Sequence, residues 1–176
     1  MSRPSRESAV SGIISTNRTF FVTTSTVGKR ALLQSERSAG LLIDVLYRYR
    51  GEGQYRLHEF VVMPNHLHAL LTVSELSIER AMQLVKGGFS YRAARELQFH
   101  PPFWEKGFSE VRVTDPVAYS RFCEYIRANP LRRGLVTRVE DFPFCSVHSR
   151  YEKDPSPQGL KPDPFWSPCG SAEALP

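Results

Sequence analysis

The chain has 176 residues, 41% hydrophobic and 23% charged, which suits one globular domain with its own core and excludes a mainly disordered polymer. No apolar run reaches the ~18 residues of a membrane span and no apolar segment follows the basic N-terminus, so a cytoplasmic protein without membrane attachment is expected. Cys123, Cys145 and Cys169 are too few and too widely spaced for a disulfide framework, and the net charge of +5 rests entirely on residues 1–58, which points to a polyanionic partner or, more plainly, to a solvated basic surface.

Residues 1–17 are polar and aperiodic and read as a flexible lead-in. Thr19 to Ser25 is β-branched and aromatic, a strand. From Ser35, Leu41, Leu42, Val45, Leu46 and Tyr49 follow helical spacing up to Gly51. Tyr55 to Met63 and His66 to Val73 read as two strands, paired as a hairpin across Pro64-Asn65. Ser77 caps a second helix that Gly87-Gly88 should weaken and Pro101-Pro102 should close. A short strand ends at Val113, and Asp115-Pro116 starts a third helix expected to stop at Ala128, before Pro130. The domain is thus expected over 18–152, with a Pro-rich, disordered tail over 153–176. Strand, helix, two strands, helix, strand, helix gives an α+β fold: an antiparallel sheet with helices on one face, close to the ferredoxin-like arrangement.

His66-Leu67-His68 lies within a predicted strand, where alternate side chains share a face. Leu67, Ala69, Leu71 and Val73 then form the core face, and the two imidazoles on the other can bind one divalent metal, although such a pair also occurs without function. On the third helix, Tyr119, Phe122, Cys123 and Ile126 form a buried stripe, with Tyr125 and Asn129 four apart along its edge. Both could equally be a boundary aromatic and a helix-terminal amide. Together with the histidines they match a chemistry: a metal-polarised phosphate, a tyrosine nucleophile and an amide oxygen as a third, neutral donor. Mg²⁺ or Mn²⁺ suits that donor set in use, although imidazole alone would also accept zinc.

The run Val61-Val-Met-Pro-Asn-His-Leu-His-Ala-Leu-Leu71 resembles the signature of the single-tyrosine transposases of the HUH endonuclease superfamily. Arg121 to Val136, containing Tyr125-Ile-Arg-Ala-Asn-Pro, resembles the nucleophile helix of the branch called REP-associated tyrosine transposases, and Phe103 to Phe108 resembles its Trp-containing segment. The resemblance covers roughly residues 18–150. It implies an HUH endonuclease fold that cuts and rejoins single-stranded DNA at hairpins through a 5′-phosphotyrosine and a divalent metal. His66 and His68 would be metal ligands, Tyr125 the nucleophile and Asn129 the third ligand. Asn129 departs from the glutamine of the wider family, although Asn-Pro looks usual for this branch.

Arg127, Arg132 and Arg133 beside the nucleophile, and Arg18, Lys29 and Arg30 in the basic first third, are candidate DNA contacts. Glu59 could support the metal, though a plain exposed acid is the simpler reading. Tyr91 is a rival nucleophile without an amide four residues on, Tyr119 and Trp104 read as core, and His58 and His148 lack partner spacing. A non-catalytic hairpin-binding module of the same fold is the alternative function. Monomer and homodimer both remain open.

Overall fold

A computed structural model describes residues 17–157 and 160; the expected lead-in over 1–17, Asn17 apart, and most of the expected tail lie outside this range. Four strands, β1 (Arg18–Ser25), β2 (Arg56–Met63), β3 (His66–Val73) and β4 (Ser109–Val113), form one sheet in the order β2-β3-β1-β4, each neighbour antiparallel. Three helices, α1 (Glu36–Gly51), α2 (Ile78–Glu96) and α3 (Pro116–Arg132), complete the expected α+β architecture, with the ferredoxin-like strand order. The helix starts follow capping chemistry: Ser35, Ser77 and Asp115 accept hydrogen bonds from the backbone N–H of Ser38, Arg80 and Ala118.

The helices do not share a face, as the sequence reading expected. α1 and α2 cover one side, where Phe20, Val22, Leu57, Phe60, Val62, Leu67, Ala69 and Leu71 build the main core. α3 lies on the other, where Phe122, Cys123 and Ile126 pack on Val61, Met63 and Leu70. β2 and β3 are therefore covered twice, and every residue from Leu57 to Met63 is buried. A β-bulge between Leu57 and Glu59 makes this possible. The extra residue, His58, changes the parity of the strand, so Leu57 joins the α1/α2 core while Glu59 shares the α3 side with Val61 and Met63.

Two helices run on where the sequence expects a weak point or a stop. α2 runs unbroken through Gly87 and Gly88 because it crosses α1 there: a Cβ on Gly88 would sit 3.0 Å from the Tyr49 ring and 3.1 Å from Val45. α3 continues through Pro130 to Arg132, with the Arg133 N–H donating back to the Asn129 and Leu131 carbonyls. Proline costs one intrahelical bond, yet burial of Pro130 and of the Asn129 and Ile126 side chains before it holds the last turn.

Beyond α3 the chain returns along the free edge of β2. Val62 N–H donates to the Phe144 carbonyl at 2.9 Å, Ser146 N–H to Phe60 at 3.0 Å and Asp154 N–H to Leu57 at 2.9 Å. The Asp154 carboxylate also accepts from Arg50 Nε at 2.8 Å and from Leu57 N–H at 2.7 Å. Lys153 and Asp154 thus belong to the fold, past the boundary expected at Glu152.

Candidate active site

The β3 register sets two imidazoles on the α3 side: His68 lies opposite Thr23 of β1 and Val61 of β2, and His66 opposite Ser25 and Met63. Their ring centroids are 4.6 Å apart. His68 Nδ1 is hydrogen-bonded to Thr23 Oγ1 at 2.8 Å and His66 Nδ1 to Asn65 Oδ1 at 2.7 Å. Each ring is thereby oriented by one nitrogen, leaving Nε2 as the nitrogen to meet a ligand. Burial pushes His66 down to about 4, helped by Arg133 and Lys29 and opposed by the Asn129 amide. Burial pushes His68 down to about 3, helped by His66 and Arg133. Both rings are therefore neutral near pH 7, the state in which imidazole ligates a metal.

α3 brings the other two residues of the motif. With its stripe anchored on β2 and β3, Tyr125 emerges half-buried, its ring 5.3 Å from His68 and 5.7 Å from Phe21. The Arg132 guanidinium lies over the tyrosine ring at 5.5 Å. One turn on, Asn129 is 3% exposed, and its Oδ1 is buried with no hydrogen-bond partner of ordinary geometry. An unpaired buried carbonyl oxygen costs about 1–3 kcal/mol. Among the described residues no cluster of three His, Cys, Asp or Glu side chains exists. Two neutral imidazoles and one orphaned amide oxygen nevertheless fit a divalent cation that keeps several water or phosphate oxygens, as Mg²⁺ and Mn²⁺ do.

The site opens into a cavity of about 520 Å³ lined by Phe21, Thr23, His66, His68, Ser109, Val111, Phe122 and Tyr125, with Lys29 and Arg133 at one end. Arg132 and Arg133 therefore stand beside Tyr125, and Lys29 joins them from the turn after β1, its Nζ donating to Ser25 Oγ at 2.8 Å. Arg30 follows in the same turn, exposed. Arg18 does not reach the site. It pairs with Val73 at the opposite end of β1, about 23 Å along the strand from Ser25, and donates to the Leu76 carbonyl at 3.4 Å.

Arg127 points elsewhere too: it is ion-paired with Glu59. Glu59, read as a plain exposed acid, has a side chain only 3% exposed and also binds the Ser146 hydroxyl and, at 2.9 Å, Lys153 Nζ. This buried carboxylate joins β2, α3 and the returning chain. A lone acid within the apolar run Leu57 to Met63 was the available sign of it. Thr23 and Phe21 left no comparable sign, since only the β1–β3 register brings them to His68. Tyr91 lies on α2, 62% exposed, under Arg95 and on the far side of the sheet from the histidines. Tyr119 and Trp104 pack against the two cores, Trp104 donating to the Lys86 carbonyl at 3.1 Å. His58 is buried against Thr72 Oγ1 at 2.7 Å, and His148 contacts the Phe142 carbonyl at 2.7 Å.

A sheet of this order carrying paired histidines on a central strand and a tyrosine on the helix above them is the arrangement expected of a single-tyrosine transposase. The chain belongs to the IS200-like transposase family, whose model matches residues 17–129. It is 24% identical over 132 residues to the REP-associated tyrosine transposase of Escherichia coli K12, covering 74% of this chain and 76% of that protein. It is 22% identical over 152 residues to a putative REP-associated tyrosine transposase of Haemophilus influenzae, covering 75% and 86%. Among solved structures it resembles a REP-associated tyrosine transposase bound to a REP hairpin, with a TM-score of 0.66 and 20% identity over 95% of this chain and all of that one. A putative transposase from Deinococcus radiodurans gives a TM-score of 0.50 and 17% identity over 72% of this chain and 95% of its own. At these identities the structural likeness is one of fold. No described helix is long and apolar enough to cross a membrane.

Proposed function

We propose that the protein is a metal-dependent single-strand DNA endonuclease and strand transferase acting at DNA hairpins through a 5′-phosphotyrosine intermediate. The observation that carries this reading is the buried Oδ1 of Asn129, without a hydrogen-bond partner of ordinary geometry, one helical turn past Tyr125 and beside His66, whose ring stands next to His68. A divalent cation held by His66, His68 and Asn129 would supply Lewis-acid polarisation and charge neutralisation at the scissile phosphate.

The chain's own groups do the rest. Tyr125 Oη forms the bond to phosphorus, the P–O3′ bond breaks, the phenolic proton goes to solvent and the departing 3′ oxygen takes one up. The Arg132 guanidinium lies over the Tyr125 ring and steadies it for attack. Lys29 and Arg133 hold the neighbouring phosphates of the strand. Attack by a 3′-hydroxyl on the phosphotyrosine reverses the step, joins a new strand and restores Tyr125.

The test is to mix the protein with labelled hairpin oligonucleotides from the DNA flanking its own gene, with Mn²⁺ or with EDTA, and look for a covalent band on a denaturing gel. A metal-dependent adduct absent from Tyr125→Phe is the expected result. Tight hairpin binding without an adduct under any metal would replace this reading with the binding module.

A further inference from the structure

β4 pairs only with β1, and α3 packs over β2 and β3. Among the described residues, α3 reaches the β1–β4 half of this side through Phe122, which stacks on Phe21 and shares a cluster with Val113, and it leaves Val111 and Ser109 uncovered. Ser109 through Arg112 are exposed, and Val111 is 49% exposed on an element otherwise able to bury it. The registers order what lies along this uncovered strip. Val111 is opposite Phe21; two residues along, Ser109 is opposite Thr23, which is opposite His68; two further along, Ser25 is opposite His66. The cavity is thus graded. Its basic end holds Lys29 and Arg133, its middle the histidines and Tyr125, and its far end Phe21, Val111 and Phe122. No acidic side chain lines any of it.

We infer that the trough formed by Phe21, Val111 and Phe122 is a nucleobase subsite, which takes the base of the nucleotide next to the phosphate held at Tyr125. This deepens the proposed function and shares its assumption that the ligand is single-stranded DNA. Three features of the trough fit that occupant. Two residues of strand place the Phe21–Val111 level about 7 Å from the His68 level, a span matching the reach from a phosphate to its own nucleoside's base. The walls are apolar and aromatic, with Phe21 already stacked on Phe122 at 4.4 Å, so a flat ring finds a rigid surface at little entropic cost. At the rim, the Thr23 hydroxyl is engaged by His68, while Ser109 is exposed and faces the same strip, one hydroxyl able to meet a base edge.

The experiment is a base-by-base fluorescence scan in EDTA, where no cleavage step is required. A fluorescent adenine analogue is placed in turn at each single-stranded position flanking a hairpin from the protein's own gene neighbourhood, and binding is read by quenching. One position is expected to be quenched strongly. Val111→Ser, a neutral change at an exposed site, removes the quenching at that position, leaves the others and weakens binding by roughly tenfold, the loss of about one stacked base. Glu110→Ser, the neighbouring residue on the opposite face, leaves the pattern as in the wild type. An unchanged quenching pattern in both Val111→Ser and Phe21→Leu overturns the subsite. Failure of the covalent-adduct test with this pattern intact would reject the nuclease reading and keep the subsite.

Discussion

Thr23 and His68 face each other across the β1–β3 ladder, and their side chains meet at 2.8 Å. With the imidazole neutral, an Nδ1–H donated to Thr23 leaves the Nε2 lone pair free. Thr23→Val keeps the shape and removes the partner. Divalent-ion binding, read by Mn²⁺ electron paramagnetic resonance, should weaken by about 10–100-fold while the fold is retained. Unchanged affinity would mean that packing alone orients His68.

Asn129 presents the opposite balance. Its Oδ1 is buried with no hydrogen-bond partner of ordinary geometry. Asn129→Leu should leave thermal stability equal or higher, by up to about 1 kcal/mol, and abolish Mn²⁺ binding. A marked loss of stability would show that the amide serves the fold.

Two buried histidines, His58 and His68, and the half-buried His66 make an acid-sensitive protein. Folded values of about 4 for His66 and about 3 for His68 lie below the ordinary ≈ 6.5 of the unfolded chain, and burial lowers His58 as well. In that window the unfolded chain binds more protons, so stability rises with pH: it is complete above about 6.5 and is lost on descending towards 3. In EDTA, the melting temperature near pH 4.5 should fall well below that near pH 7.5. A His66→Gln/His68→Gln double variant should show a smaller drop, and equal drops would remove these two rings from the account.

Two arginines at the C-terminal end of α3 should behave differently. Arg133 lines the cavity, whereas Arg127 is committed to Glu59. Arg133→Ala should weaken hairpin binding and lower the slope of log affinity against log salt by about one. Arg127→Ala should leave that slope unchanged and destabilise the fold, as should Glu59→Ala, by roughly 2–3 kcal/mol in urea denaturation.

Adjacent glycines give a paired test of α2. Gly88→Ala drives a methyl group into Tyr49 and Val45 and should cost about 1–3 kcal/mol. Gly87→Ala meets nothing within 4 Å and should gain up to about 1 kcal/mol from helix propensity. Equal effects would mean that α1 and α2 shift to absorb the methyl group.

These residues also show how far the sequence could be read. His66 and His68 are legible because period two in a strand sorts them from Leu67 and Ala69, and the caps Ser35, Ser77 and Asp115 are legible because capping is local chemistry. Gly88 is not, because its reason is a ring on another helix. The burial of Glu59 is hidden by the bulge at His58, which resets the alternation that any strand reading assumes. Arg127 and Arg133 are the same residue type six positions apart, and only the rotation of α3, about 1.7 turns between them, sends one to a buried acid and the other to the cavity.

The returning chain that closes the β2 edge is also the last of the described segments to be made. While the protein is being synthesised, β2 stays open to other chains until Asp154 has emerged to clasp Arg50 and Leu57. The vectorial order of translation therefore leaves the most aggregation-exposed interval at the end. A nascent chain halted a few residues early, with its histidines, tyrosine and cavity all complete, would still carry an unsealed sheet.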